Sequence, residues 1–203
     1  MTPVSLTPAP CSPGAISVPI RAGVATLRPL GSEEHVVLDA VFDALSPASR
    51  HDRYLTSLPR LTGPMRSALT AIDGHTHIAW LGEVDGHPAA IGRLIRVKPG
   101  TAEIAFEVID VHQGRGLGTA LLDTLMTVAS VSGIDRIQGT VLPTNHRSLR
   151  LLRAIEMTFR VNDGLLEGNA PVRLRDTPVV DRRAVARLAV TARSETGRIA
   201  DPA

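Results

Sequence analysis

The stretch TAEIAFEVIDVHQGRGLGT, residues 101–119, decides the predicted fold. Its first half, residues 102–109, is apolar and β-branched with two carboxylates, which is typical of a largely buried strand. Its second half places a glycine at every other position, and from residue 117 onward apolar residues recur at the spacing of one helix face. The glycines are Gly114, Gly116 and Gly118, and the helix-face residues are Leu121, Leu122, Leu125, Met126 and Ala129. The sequence therefore predicts a strand, a glycine loop and a helix in succession.

The glycine loop is predicted to bind a phosphate or pyrophosphate. The first turn of a helix has backbone N–H groups without partners inside the helix, and it carries the positive end of the helix dipole. Glycine has no side chain to keep a ligand away from this backbone. A tight strand-to-helix turn without any ligand is the alternative.

Two common nucleotide-binding loops do not fit these residues. A P-loop ends in Lys-Ser or Lys-Thr, and no such pair follows Gly118. A dinucleotide-binding loop has the spacing Gly-x-Gly-x-x-Gly and an acidic residue at the end of the next strand. Here Thr119 stands in the place of the third glycine, and Asp135 lies near the beginning of the next predicted strand.

Residues 113–118, QGRGLG, resemble the Gln/Arg-x-x-Gly-x-Gly/Ala pyrophosphate loop of the GNAT superfamily of acetyl-CoA-dependent N-acetyltransferases. The preceding strand with Ala102-Glu103-Ile104 and the leucine-faced helix strengthen the resemblance, which covers about residues 20–167. It implies an α/β fold with a central mixed, mostly antiparallel sheet flanked by helices. It also implies acetyl-CoA as co-substrate and no metal. The implied coenzyme contacts are Phe106, Val108, Gln113, Gly114, Arg115, Gly116, Leu117, Gly118, Thr119 and Asn145.

Residues 145–157 resemble the family segment Asn-x-x-Ala-x-x-Leu-Tyr-x-x-x-Gly-Phe, but with departures. Asn145 matches the asparagine that contacts the coenzyme, and Leu151 matches the leucine. Leu152 stands in the place of the tyrosine that often returns a proton to the departing thiolate, while Glu156 and Met157 replace Gly-Phe. Because of the missing tyrosine, a module that senses acetyl-CoA without chemistry is an alternative function.

Glu103 is the residue that the resemblance implies as general base. A substrate ammonium must lose a proton before it attacks, and a carboxylate can accept that proton directly or through one water. In the family the glutamate of an Ala-Glu-Ile-type strand often does so, and a backbone N–H near Val108 usually contacts the thioester oxygen. The alternative for Glu103 is a structural pairing with Arg93 or Arg96. Glu107 lies on the same nominal strand face and is the second candidate base.

The segment LSPASRHDRY, residues 45–54, bears on the acceptor. It is predicted to be a helix with Ser46 as cap and Pro47 at the first position. A Leu-Ser-Pro-x-Ser-Arg-x-x-Arg-aromatic segment resembles the GNAT domain of bacterial protein-lysine acetyltransferases. A capped surface helix with solvated arginines is the alternative. We therefore expect a protein lysine as acceptor, with small amines, polyamines and aminoglycosides left open.

The rest of the sequence predicts a series of strands and helices. A helix is expected after a cap at Ser32, and Asp85-Gly86 is typical of a two-residue hairpin turn. His75 and His77 share one side of a strand and could mimic a metal pair. Because no third ligand has a matching spacing, we expect an ordinary polar strand face. The predicted strands are 16–20, 24–28, 76–83, 88–97, 136–142, 157–161 and 165–167.

Three regions are predicted along the chain. Residues 1–15 form a tail whose Pro, Ser and Thr content indicates disorder, residues 16–170 form the GNAT domain, and residues 171–203 form a basic extension. The extension holds seven Arg against four Asp and Glu, a net +3, which leaves −1 for residues 1–170 of a chain of net charge +2. We therefore expect no nucleic-acid partner.

The extension has a possible helix at 181–193. This helix can pack on the domain, dock on a partner or be disordered, and we expect the extension to be dispensable for acyl transfer.

Composition restricts the class of protein further. Aromatic residues make up 2% of the chain, so its core must be aliphatic. Cys11 is the single cysteine, which excludes an intramolecular disulfide framework. No segment resembles a secretory signal or reaches membrane-spanning length. We therefore expect a cytoplasmic protein without a membrane partner, while the sequence leaves its oligomeric state open.

Overall fold

The computed structural model describes residues 14–199. Eight strands in this part of the chain form one sheet in the order β1-β2-β3-β4-β5-β6-β8-β7, and every neighbouring pair is antiparallel except β5 and β6. The strands are β1 (Ile16–Ile20), β2 (Gly23–Pro29), β3 (His77–Val84), β4 (His87–Lys98), β5 (Thr101–Val108), β6 (Arg136–Val141), β7 (Thr158–Asn162) and β8 (Leu165–Pro171).

Six helices in the described residues flank this sheet, so the predicted architecture is confirmed. A single 3₁₀ turn, Asp110–His112, lies between β5 and the glycine loop. The helices are α1 (His35–Ala44), α2 (Pro47–Tyr54), α3 (Gly63–Thr70), α4 (Leu117–Val131), α5 (His146–Arg153) and α6 (Arg182–Ile199).

The helices divide between the two faces of the sheet, as neighbouring residues of β4 show. A Cβ atom built on Gly92 would lie 2.9 Å from Leu121 and 2.8 Å from Leu125, so α4 packs directly on the backbone of β4. The next side chain, Arg93, points to the opposite face because strand side chains alternate. Its guanidinium donates to the carbonyl of Leu69 in α3 at 2.8 Å.

The parallel contact between β5 and β6 is short. The strands pair at Thr101–Arg136, Ala102–Ile137 and Glu103–Gln138, and no further pair follows. On its other edge β5 continues to pair with β4 as far as Val108. The last residues of β5 therefore have a neighbouring strand on one side and open space on the other.

Of the three local signals predicted at helix ends and turns, two are confirmed and one is wrong. Ser46 does cap α2 by accepting from the N–H of Ser49, and Asp85 and Gly86 do form the hairpin turn, with φ of 52° and 76°. The predicted cap at Ser32 is wrong, since α1 begins at His35 after Glu34. The carboxylate of Glu34 instead pairs with Arg28 at 2.7 Å.

The C-terminal extension packs on the domain through α6, one of the three arrangements that the sequence left open. Val180, Val185 and Ala189 are buried. The buried carboxylate of Asp123 in α4 accepts from the N–H groups of Val179 and Val180 and forms an ion pair with Arg182 at 2.8 Å. The helix is longer than the predicted 181–193, and the predicted tail at 1–15 lies outside the described residues except for 14 and 15.

We predict that Asp123→Ala lowers the free energy of unfolding by about 3 kcal/mol, because Arg182 then loses its partner at a largely buried site. Asp176→Ala, an exposed carboxylate of the same extension, should change it by no more than about 0.5 kcal/mol. Urea unfolding of the full chain measures both values. Equal values for the two variants would contradict the packing of the extension on α4.

Candidate active site

A cleft of about 610 Å³ opens where β5 and β6 separate. Its walls come from β5, the glycine loop, α2, the end of β6 and α5, and no described residue of the extension contributes to them. Glu103 and eight of the predicted coenzyme contacts line the cleft; the eight are Phe106, Val108, Gln113, Gly114, Gly116, Gly118, Thr119 and Asn145.

Two predicted contacts, Arg115 and Leu117, do not line the cleft. The side chain of Leu117 is fully buried in the core near Gly82, so this residue can offer a ligand only its backbone. The carbonyl of Arg115 accepts from the N–H of Arg21 at 2.8 Å, which ties the loop to the turn between β1 and β2.

The glycine loop and the start of α4 present backbone N–H groups that have no acceptor among residues 14–199. Gly114 and Gly116 have φ of 72° and 99°, which L side chains rarely adopt, and a Cβ on either would meet nothing within 4 Å. Ala120 is the first residue of α4 whose N–H bonds within the helix turn, to the carbonyl of Gly116 at 3.0 Å. The N–H groups of residues 117–119 have no acceptor among the described residues. The loop therefore has the geometry of an anion site at a helix N-terminus.

The hydrogen bonding of β5 decides which of its groups face the cleft. The N–H of Ile109, the residue after β5, donates to the carbonyl of Ala89 in β4 at 2.9 Å. Since successive residues of a strand present their N–H groups to opposite edges, those of Val108 and Phe106 point away from β4 and into the cleft. The carbonyl of Val108 is already occupied, because the side chain of Gln113 donates to it at 2.9 Å.

The two halves of α5 have different roles in the structure. The side-chain oxygen of Asn145 accepts from the N–H of Ser148 at 3.0 Å and so caps the helix. Leu152 is 4% exposed and belongs to the core, so the position that carries a tyrosine in the resembled segment has no hydroxyl here. A Cβ on Gly118 would lie 3.0 Å from Leu151, which places α5 directly against the first turn of α4.

The sequence matches a family model described as the acetyltransferase (GNAT) family over residues 38–156, more than half of the chain. The chain belongs to the GNAT family. An acetyltransferase of Pseudomonas aeruginosa is 28% identical over 129 residues, which are 61% of this chain and 69% of that protein.

Solved GNAT structures have the same fold. The GNAT domain of S. lividans PAT is 26% identical, covers 80% of this chain and 99% of its own, and has a TM-score of 0.72. A cAMP-binding acyltransferase from Mycobacterium smegmatis, 24% identical, covers 89% of this chain and 56% of its own with a TM-score of 0.62. A putative acetyltransferase from Salmonella typhimurium, solved with acetyl-CoA, has 19% identity and a TM-score of 0.59, and covers 76% of this chain and 97% of its own. The chain is thus an N-acetyltransferase of the GNAT family.

No helix among residues 14–199 is long and apolar enough to span a membrane.

The two candidate bases of this GNAT domain lie in different surroundings. Glu103 is half-buried in the cleft and pairs with neither Arg93 nor Arg96. Arg96 instead donates to the carbonyl of His75 at 2.9 Å. Glu107 is buried, and its Oε2 atom lies 2.9 Å from Arg53 Nε. Of the two carboxylates, Glu103 is the one available to a substrate.

Tyr54, the one tyrosine of the sequence, also lines the cleft. Its hydroxyl donates to Glu107 at 3.3 Å. Burial, together with the charge of Glu107, raises the pKa of the Tyr54 phenol far above its usual value. The phenol therefore stays protonated and is a poor acid. Finding this residue required the three-dimensional fold, because 53 positions separate it from Glu107 in the chain.

Neither His75 nor His77 belongs to a group of three or more potential metal ligands among the residues that the structure describes. His77 is 6% exposed, and its Nε2 atom lies 3.3 Å from a guanidinium nitrogen of Arg93. Burial and the positive charge of Arg93 lower the pKa of His77 to about 4, so the ring is neutral near pH 7.

Charge is distributed unevenly within the cleft of the GNAT domain. The basic residues near the glycine loop are Arg21, in the turn bonded to the loop, and Arg147 and Arg150 of α5. Three acidic residues line the cleft, and two of them, Asp52 of α2 and Glu103, form no ion pair with any of residues 14–199. The cleft thus offers positive charge to an anion near the glycine loop and two carboxylates to a cation.

We predict that Gly116→Val weakens acetyl-CoA binding by at least about tenfold, because valine rarely adopts the positive φ of this position. Arg115→Ala, which keeps the loop backbone, should weaken binding much less. Titration calorimetry on the full chain measures both affinities, and thermal unfolding checks that the variants fold. A larger loss for Arg115→Ala than for Gly116→Val would contradict recognition by the backbone.

Proposed function

We propose that this GNAT enzyme transfers an acetyl group from acetyl-CoA directly to a primary amine, and that the acceptor is a protein lysine. The observation that carries the proposal is the separation of β5 from β6. It brings the free N–H of Val108, the glycine loop and Glu103 into one cleft.

The residues of the cleft fit acetyl-CoA. Its pyrophosphate needs donors, and the unpartnered N–H groups at residues 117–119 supply them at the positive end of α4. Arg147 and Arg150 add positive charge on the same side. The pantetheine arm needs a channel with free backbone groups, and the gap beside Phe106 and Val108 provides one.

Two groups of the chain are assigned to the chemistry. Acetyl-CoA supplies an acetyl thioester, whose C–S bond breaks as the C–N bond to the amine forms. The N–H of Val108 donates to the thioester oxygen as negative charge develops there, a contact worth roughly 3–4 kcal/mol of barrier in comparable sites. Glu103 accepts the proton that the acceptor ammonium must lose.

The departing thiolate is protonated by the solvent or by the proton that the amine releases. Leu152 has no hydroxyl to donate. Tyr54 donates to Glu107, and its raised pKa makes transfer of its proton to a thiolate unfavourable. The missing tyrosine therefore changes the route of the last proton but leaves acyl transfer possible.

Support for a protein acceptor comes from residues 45–54 and from the similarity to the S. lividans PAT domain. Asp52 and Glu103, which line the cleft, suit a cationic lysine. The segment itself makes specific contacts: Arg50 donates to the carbonyls of Phe42 and Pro59 at 3.1 and 2.7 Å. Arg50 therefore makes hydrogen bonds to the chain and is not simply a solvated arginine on a surface helix.

A labelled-acetyl assay tests the proposed function. The full chain is incubated with radiolabelled acetyl-CoA and a mixture of cell protein and small amines, and label is counted in precipitated protein and in the soluble fraction. We expect label in protein, at lysines identified by mass spectrometry. Label confined to small amines would overturn the protein acceptor, and hydrolysis unaffected by any amine would overturn transfer.

We predict that Glu103→Gln lowers turnover by about 10²- to 10⁴-fold near neutral pH, because glutamine cannot accept the ammonium proton. Acetyl-CoA affinity should stay nearly unchanged. Turnover should recover in part as the pH approaches about 10, where free lysine amine becomes plentiful. The turnover of Glu107→Gln should depend on pH in the same way as that of the wild type, even if its absolute turnover differs. Full turnover by Glu103→Gln with a verified acceptor would remove Glu103 from the role of base.

A further inference from the structure

The polar side chains of α2 contact the chain on both sides of Val108. At the N-terminal end of α2, the N–H and hydroxyl of Ser46 donate to the carboxylate of Asp110 at 2.8 and 2.9 Å. The hydroxyl of Ser49 donates to the same carboxylate at 2.8 Å. Asp110 follows Val108 by two residues, in the turn that leads to the glycine loop.

At the C-terminal end of α2, Arg53 and Tyr54 contact Glu107, the residue before Val108. Arg53 forms the ion pair at 2.9 Å, and Tyr54 donates at 3.3 Å. The Tyr54 ring packs edge-on against Phe42 of α1, with 5.6 Å between ring centroids. The carboxylate of Glu107 therefore has a fixed position beneath the cleft.

Between these two ends, Gln113 joins α2 to Val108 itself. Its side-chain nitrogen lies 2.9 Å from the carbonyl of Val108 and 3.2 Å from the hydroxyl of Ser49. We call the α2 residues of these contacts, Ser46, Ser49, Arg53 and Tyr54, the α2 clasp. The clasp thus contacts residues 107, 110 and 113, while residue 108 lies among them.

The need for such contacts follows from the separation of the strands. A strand inside a sheet is held by hydrogen bonds on both edges, but the last part of β5 has lost its neighbour on the cleft side. An oxyanion donor must stay within about 0.5 Å of its productive position. A misplacement of about 1 Å can cost roughly 10²-fold in rate.

We propose that the α2 clasp fixes the Val108 peptide for acyl transfer, and that Arg53 is a positioning residue for this step. The inference rests on the proposed function, because it assumes that the N–H of Val108 contacts the thioester oxygen. Arg53 lines the cleft, but its ion pair is with Glu107, and we assign it a role through Glu107 and the backbone of β5 rather than a contact with the pyrophosphate. Loss of Arg53 should therefore lower kcat and leave coenzyme binding intact.

The matched control for Arg53 is Arg50, which lies three residues earlier in the same helix. Arg50 donates to the carbonyls of Phe42, Asp43 and Pro59, and its guanidinium lies 4.3 Å from the centre of the Phe42 ring. None of these contacts is to β5. Arg50→Met thus removes a guanidinium from the helix without touching the clasp.

The test compares Arg53→Met and Arg50→Met in full-length protein, using acetyl-CoA and the acceptor found by the labelling assay. We expect Arg53→Met to lower kcat at least about tenfold, while its KM and Kd for acetyl-CoA stay within about twofold of the wild type. Arg50→Met should keep kcat within about twofold even if it lowers the melting temperature. The pH dependence of both variants should match the wild type, since Glu103 is untouched.

A double variant, Arg53→Met with Glu107→Gln, covers the case in which Arg53→Met alone fails to fold. It removes both charges of the ion pair together, so neither is left buried without the other, and it should still show the reduced kcat because the ion pair is absent. Wild-type kcat in a folded Arg53 variant overturns the inference and leaves the proposed function standing, as does a rise in the Kd for acetyl-CoA with unchanged kcat. An equal loss of kcat in Arg50→Met also overturns it. A wild-type chain that transfers no acetyl group overturns the proposed function and this inference together.

Discussion

The separation of β5 from β6 after Glu103 is the constraint on which the rest of the site depends. A backbone N–H that is buried without a partner costs about 1–3 kcal/mol, so a sheet normally pairs both edges of an internal strand. Here β5 keeps β4 along one edge through Val108 and has parallel pairs with β6 at three positions only. The remaining groups of the free edge are available to a ligand. Acetyl-CoA, with a thioester and two amides along its arm, can supply the partners that the sheet lacks.

Neighbouring elements compensate for the lost strand contact. The tightly packed α4 holds one face of the sheet, where Gly92 allows Leu121 and Leu125 to reach the backbone of β4. On the other face, α2 contacts the end of β5 through Glu107 and Asp110. The gap thus lies between α4, which supports one face of the sheet, and α2, which supports the end of β5 on the other.

The sequence predicts the local part of this account and misses the tertiary part. The alternate glycines at residues 114–118 and the leucine spacing of α4 depend on near neighbours in the chain, so the strand, loop and helix were predictable. The surroundings of Glu107 and Tyr54 depend on contacts across more than fifty residues, and no periodic pattern encodes them. The same holds for Asp123, whose partners come from the extension. The error at Ser32 arose because the pairing of Glu34 with Arg28 depends on the path of the chain after β2 rather than on helix-cap propensity.

Backbone amide NMR with acetyl-CoA tests whether the coenzyme binds along the free edge of β5. The full ¹⁵N-labelled chain is titrated with acetyl-CoA, and amide shift changes are mapped along the sequence. We expect the largest changes at the free edge of β5, Phe106 and Val108, and at the loop residues 114–119, with little change in α6. Changes confined to other surfaces, with Val108 unaffected, would contradict a coenzyme site between β5 and β6.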